Sequence, residues 1–126
     1  MEYNKSRTEE LSRDSKYSAF TTWLTQGGAV FPKVQYPAVF GSGPNELNGC
    51  TSNSDIDPKE VICAIPNKLL ISTETARQSE LGEVFRQNPD VFIENTDRDY
   101  LTLIFFLMYE RSKGSESKWH PYFEAV

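Results

Sequence analysis

Histidine occurs once in this chain of 126 residues and cysteine twice, at Cys50 and Cys63. A zinc site of Cys and His ligands is not expected, because His120 stands far along the chain from both cysteines. No GxxxxGK[ST], CxxC or HExxH occurs, which excludes a phosphate loop, a vicinal dithiol motif and a helix-borne metalloprotease site. The N-terminus reads MEYNKSRTEELSRDSK and has no apolar leader, so two reduced thiols in an intracellular protein (cytoplasm or nucleus) are predicted. A Cys50–Cys63 disulfide would require the two residues to lie on paired strands.

Positive charge is short as well: 13 Lys and Arg stand against 18 Asp and Glu, for a formal net charge of −5. Phosphate contacts need clustered cations, whereas these are scattered among acids, so no general nucleic-acid surface is expected. Long apolar runs are missing too. The most apolar stretch, YLTLIFFLMY from Tyr100 to Tyr109, has ten residues and is flanked by DRD and ERSK. A bilayer-spanning helix needs about twice that length. The run predicts a buried helix, and no membrane partner.

What is present suffices for one core: 38% hydrophobic and 13% aromatic residues in the length of one modest domain. Residues 1–13 are polar without apolar periodicity, which predicts a disordered N-terminus and a domain over residues 14–126. Tyr17, Phe20, Thr21 and Leu24 recur at helical spacing after Asp14, and Gly27-Gly28 supply the stop. AVFPKVQYPAVFG is β-favouring, but Pro32 and Pro37 limit any strand to a short or edge one. GSGPNELNG is rich in turn formers, CTSNSDI reads as a short strand, Asp57-Pro58-Lys59 as a turn and EVICAI as the clearest strand. The region from about Val34 to Ile65 is thus expected to form a small antiparallel sheet. Ser72 or Thr73 caps TETARQSELGEVFRQ, which Gly82 interrupts. Thr96 or Asp97 caps the apolar helix through about Ser112, and Trp119, Tyr122 and Phe123 fall in a short last helix with little left to pack on. The fold class is α+β: a small antiparallel sheet flanked by helices.

No nucleophile–base arrangement stands out. His120, between Trp119 and Pro121, has no marked partner and reads as a packing or surface residue. The carboxylate pairs Glu9/Glu10, Asp55/Asp57 and Asp97/Asp99 read as a solvated face, a turn and a helix cap. No catalytic or metal-binding residue is assigned. The stretch NELNGCTSNSDI allows two readings. Asn48-Gly49 fits a two-residue hairpin turn, whose positive φ angles both residues tolerate. It also fits a loop in which glycine lets the backbone approach a ligand, with Glu46 placed to accept hydrogen bonds from an amine or hydroxyl.

Two segments, NELNGCTSNSDIDPKEVICAIPNKLLISTETARQSELG and YERSKGSESKWHPYFEAV, carry a family resemblance. In order, Glu46, Gly49, Asp55-Ile56, Ile65-Pro66, Lys68-Leu69-Leu70-Ile71, Glu110-Arg111 and Ser117-Lys118-Trp119-His120-Pro121-Tyr122 resemble the opening part of SET-domain protein methyltransferases. The group resembled includes the Rubisco large-subunit lysine methyltransferase and the actin-histidine methyltransferase. The helix DSKYSAFTTWL, with Trp-Leu followed by glycines, is similar to the group's first helix. Leu47 stands where the family has the first glycine of a Gly-x-Gly turn, and Ser52-Asn53-Ser54 where it has Ala-Thr-x.

The resemblance implies the N-terminal portion of a SET domain, reaching the start of its inserted helical region, from a protein-lysine N-methyltransferase. It implies S-adenosyl-L-methionine as cofactor, with Glu46, Leu47, Asn48 and Gly49 lining one wall of its pocket. The implied partner is a protein substrate with a target lysine or histidine. The family's Asn-His motif and catalytic tyrosine lie beyond everything matched here, so the chain is expected to be inactive alone and to need the C-terminal part of the SET domain. The alternative is a non-enzymatic α+β interaction module that binds a protein through exposed C-terminal aromatics.

Overall fold

The first helix, α1 (Lys5–Leu11), begins at Asn4, whose side chain accepts a hydrogen bond from the Arg7 N–H. A computed structural model describes residues 1–93 and 99–126. The expected cap at Thr96 or Asp97 lies outside the described residues. Within residues 1–13 the disorder expectation is corrected, and the anchors of α1 are polar. Asn4 N–H donates to Val39 O at 2.8 Å and Asn4 Nδ2 to Gly41 O at 3.0 Å. Thr8 is fully buried: its hydroxyl donates to Asn4 O at 2.8 Å and accepts from Val39 N–H at 2.9 Å. Polar docking of this kind leaves no trace in a hydropathy pattern.

Two compact units follow from the contacts: Met1–Ile65 with Glu124–Val126, and Pro66–Phe123. In the first, α2 (Ser15–Gln26) runs from the Asp14 cap to Gly27, as its spacing predicted. Tyr17 is buried on it, and Tyr17 and Phe20 meet the Tyr36 ring edge-on at 5.6 and 5.7 Å. Tyr36 belongs to β1 (Val34–Phe40), which pairs antiparallel with β2 (Leu47–Ser52). The register shifts between Gln35 and Ala38, and Pro37 sits in that shift, where a missing N–H breaks no regular ladder. Only β1 is buried, at Pro37, Ala38 and Val39.

EVICAI is not a strand. Of that run only Ala64 pairs, through a two-way bridge with Val30 at 2.9 and 2.8 Å, while Val61 and Ile62 are exposed. β propensity expresses fit to a pleated, half-buried surface, and this run has no partner strand among the described residues.

In the second unit Ser72 caps α3 (Thr73–Arg77) by accepting from Thr75 N–H, and the chain breaks before α4 (Gly82–Gln87). Glycine fits this tight corner: a Cβ on Gly82 would overlap Arg77 O. Gly82→Ala is expected to cost about 1–3 kcal/mol through forced displacement of the α3–α4 corner. Urea unfolding followed by helical circular dichroism measures it; an unchanged midpoint would mean that the corner yields freely.

The apolar run forms α5 (Asp99–Ser112), ending where the sequence predicted. It is not the buried helix expected. Thr102, Phe106 and Glu110 face inward, whereas Tyr100, Ile104, Phe105 and Met108 are exposed. A run apolar on every side gives no period from which to read the core-facing stripe. No helix among the described residues is long and apolar enough to cross a membrane. The last helix, α6 (His120–Ala125), follows Trp119, which is buried against Phe106 with ring centroids 6.1 Å apart. Six α-helices and one two-stranded antiparallel sheet among the described residues make the fold α+β, as expected.

Candidate functional site: the turn from Gly41 to Gly49

After β1 the chain reverses at Gly41 and Gly43, whose φ angles of +80° and +57° lie in the left-handed region that favours glycine. Gly43–Asn45 form one 3₁₀ turn, with Pro44 fixing its start, and Glu46 closes it by donating its N–H to Gly43 O at 3.2 Å. β2 begins at once: Leu47 lies opposite Phe40, Asn48 opposite Val39 and Gly49 opposite Ala38. The hairpin reading of Asn48-Gly49 is therefore corrected, because both residues are strand interior. Glycine at 49 serves a close approach instead: a Cβ there would stand 3.3 Å from Cε2 of the Phe40 ring.

Glu46 is the one predicted site residue with a built electrostatic environment. Its side chain is half-buried and held side-on by Arg7: Nε donates to Oε1 at 3.0 Å and to Oε2 at 3.3 Å, and Nη2 donates to Oε2 at 3.3 Å. Arg7 Nη1 donates to Glu10 Oε2 at 2.6 Å. Glu10 first, and then Glu46, hold the guanidinium protonated even more firmly than usual. The three side chains together carry one net negative charge. Arg7 escaped the sequence reading because it sits in a segment without apolar signal.

Leu47 and Asn48 are exposed on β2. Along an antiparallel strand, alternate residues turn both backbone groups towards the partner or away from it. One of these two neighbours therefore offers an outward N–H and C=O pair, which fits a ligand held by backbone contacts. Downstream, Lys33 Nζ donates to Asp55 O at 2.7 Å and pairs with Glu60 at 2.7 Å. Glu60 also accepts from Asp57 N–H at 2.9 Å. Lys33, and after it the Asp57 N–H, hold the Glu60 carboxyl below its ordinary range. This network fixes the Asp55-Ile56 segment.

An open groove of about 330 Å³ in the same unit is lined by Phe20, Leu24, Tyr36, Ile65 and both cysteines. Cys50 and Cys63 are free and exposed. A larger cleft, about 390 Å³, lies in the second unit between Lys68, Ser72, Gln78 and Lys118. It contains no predicted site residue, and the Ser72 hydroxyl there is occupied as a helix cap. No cluster of three or more His, Cys, Asp or Glu able to hold a metal occurs among the described residues. Trp119 is buried and Tyr122 and Phe123 are half-buried, so the exposed aromatic platform of the alternative reading is not formed.

The chain is similar to actin-histidine N-methyltransferases. Identity is 25% to the protein of Drosophila melanogaster over 94% of this chain, 32% to that of Dasypus novemcinctus over 90%, and 26% to that of Homo sapiens over 94%. The match takes up 18–19% of each relative, so the chain spans about a fifth of the length of the curated relatives it matches. No family model matches the chain. The relationship is thus to protein methyltransferases, and the aligned stretch includes the turn that bears Glu46.

Proposed function

We propose that this chain is the N-terminal portion of an S-adenosyl-L-methionine-dependent protein N-methyltransferase of the SET type, contributing one wall of the cofactor pocket. The carrying observation is similarity over nine-tenths or more of the chain to proteins named as methyltransferases. Glu46 accepts donors of the cofactor's amino or ribose part, and the outward backbone pair at Leu47 or Asn48 adds a hydrogen bond. The cofactor supplies an electrophilic methyl group for in-line transfer to a side-chain nitrogen. Positioning, and not acid–base chemistry, is the part of catalysis this segment serves. No catalytic residue is assigned to it, and turnover by the chain alone is not expected.

The relatives' names favour histidine of actin as the acceptor over a lysine. Either acceptor must present an unprotonated nitrogen to the methyl group, a smaller demand on histidine, whose ring is largely neutral at pH 7, than on lysine.

Calorimetric titration of the purified chain with S-adenosyl-L-methionine tests the pocket. One wall encloses little of a ligand, so the expected dissociation constant is on the order of 10–100 μM, abolished by Glu46→Ala. Absence of saturable heat would sink the residual cofactor site.

A further inference from the structure

We infer that Arg7 is a positioning residue for Glu46, so that α1 belongs to the ligand site and is not a peripheral arm. The inference rests on the cofactor-wall reading above. Four observations carry it. Arg7 meets both oxygens of the Glu46 carboxylate, which fixes the plane of that group. The guanidinium is fixed in turn by Glu10 at 2.6 Å. The helix beneath it is held to β1 by the buried Thr8 hydroxyl and by Asn4. The turn that bears Glu46 is stapled to the same segment, since Gly41 N–H donates to Glu2 O at 2.8 Å and Tyr3 bridges Phe40.

The consequence is geometric. A carboxylate has about four lone-pair directions, and a side-on guanidinium occupies two of them. The remaining two point away from Arg7 as a preset pair of acceptors, suited to an ammonium group or to two hydroxyls. Without Arg7 the Glu46 side chain regains its rotamers, and a ligand must order it on binding. The net negative charge of the Arg7, Glu10 and Glu46 group still favours a cation over an anion. By linkage, a ligand that needs the ordered carboxylate stabilises α1 to the same extent that α1 favours the ligand.

Arg7→Gln, Arg7→Lys and Glu46→Gln, each in the full chain, test this with two readouts. The first is affinity for S-adenosyl-L-methionine. Arg7→Gln is expected to weaken it by about tenfold, and Arg7→Lys, a point charge without the planar fork, to recover only part of the loss. Saturable binding unchanged by Arg7→Gln overturns the inference and leaves the cofactor wall standing. The second readout is amide exchange over α1 without ligand. Arg7→Gln and Glu46→Gln are each expected to speed exchange about tenfold, because each releases the same tie. Should the wild-type chain bind no cofactor, the cofactor wall fails and Arg7 positions nothing for that ligand, whatever the exchange rates. Unchanged exchange in both variants would show that α1 is held without this pair, which overturns the inference independently.

Discussion

Trp119→Ala is expected to destabilise the second unit by about 3–5 kcal/mol, the range for removing a large aromatic from a closed core. The indole is 1% exposed and meets the fully buried Phe106 ring edge-on, an arrangement that adds to simple burial. Its position is fixed from two sides. Glu110 on α5 accepts from the Ser117 hydroxyl at 2.6 Å, and the Ser117 Oγ accepts from Trp119 N–H at 3.1 Å. Losing the indole therefore opens a void beneath α5, while the backbone N–H of residue 119 still reaches the Ser117 hydroxyl. Domains of this size are stable by only about 5–15 kcal/mol, so the substitution removes a large share. The expected thermal shift is a fall of about 10 °C or more. Urea and thermal unfolding followed at 222 nm measure it; a midpoint within error of wild type would place Trp119 outside the core. Phe106→Leu, which keeps most of the volume, should cost less than half as much.

Lys113→Met carries the second largest expected effect. Glu110 is 5% exposed, and its countercharge is Lys113 Nζ at 3.0 Å. Lys113 also reaches Glu80 at 2.8 Å and lies 4.5 Å from the centroid of the Tyr109 ring, whose hydroxyl donates to Glu80 at 2.8 Å. Removing the ammonium leaves a buried carboxylate with a single hydroxyl donor. That imbalance is expected to cost about 2–3 kcal/mol, the lower end for a broken buried pair because Lys113 keeps some solvent. Adding Glu110→Gln should restore most of the loss, because the amide oxygen still accepts from Ser117 and no charge remains to be compensated. A double variant as unstable as the single one would refute the pairing account.

The same network sets a pH window. Lys113 first, then Tyr109, lower the Glu80 carboxyl below its ordinary 4.5, so its contribution is full above that value and fades as pH falls through the lowered one. Chiefly through Glu80, the Lys113 ammonium is raised above its ordinary 10.5; its contribution is full below that value and fades as pH climbs past it. The stability difference between wild type and Lys113→Met is therefore expected to be flat across neutral pH and to shrink below about pH 4 and above about pH 11. Chemical denaturation at a series of pH values checks the plateau and both edges.

Several elements were fully legible in the sequence because their signals are local. Asp14, the aromatic spacing behind it and the Gly27-Gly28 stop define α2 without reference to anything distant. Ser72 and Gly82 likewise mark the start of α3 and the break before α4, since capping and glycine sterics act within one or two turns. The α+β class, and a site hypothesis centred on Glu46, also came from residues in order along the chain.

What tertiary structure alone decided is which partner each segment meets. Residues 5–11 form a helix because Val39 on β1 and Gly41 just past its end supply hydrogen bonds from more than 30 positions away. EVICAI has strand composition but no partner among the described residues, so it pairs at Ala64 alone. The chain reverses at Gly41 and Gly43, and not at Asn48-Gly49 as the hairpin alternative had it, because pairing with β1 draws Leu47 to Gly49 into the ladder. A uniformly apolar α5 shows in its sequence no sign of which stripe stays exposed. For the site, the chain determined on its own that a carboxylate stands at position 46. Only the fold brought Arg7 to it, because a salt bridge between residues 39 apart depends on where two backbones meet and on no pattern along either.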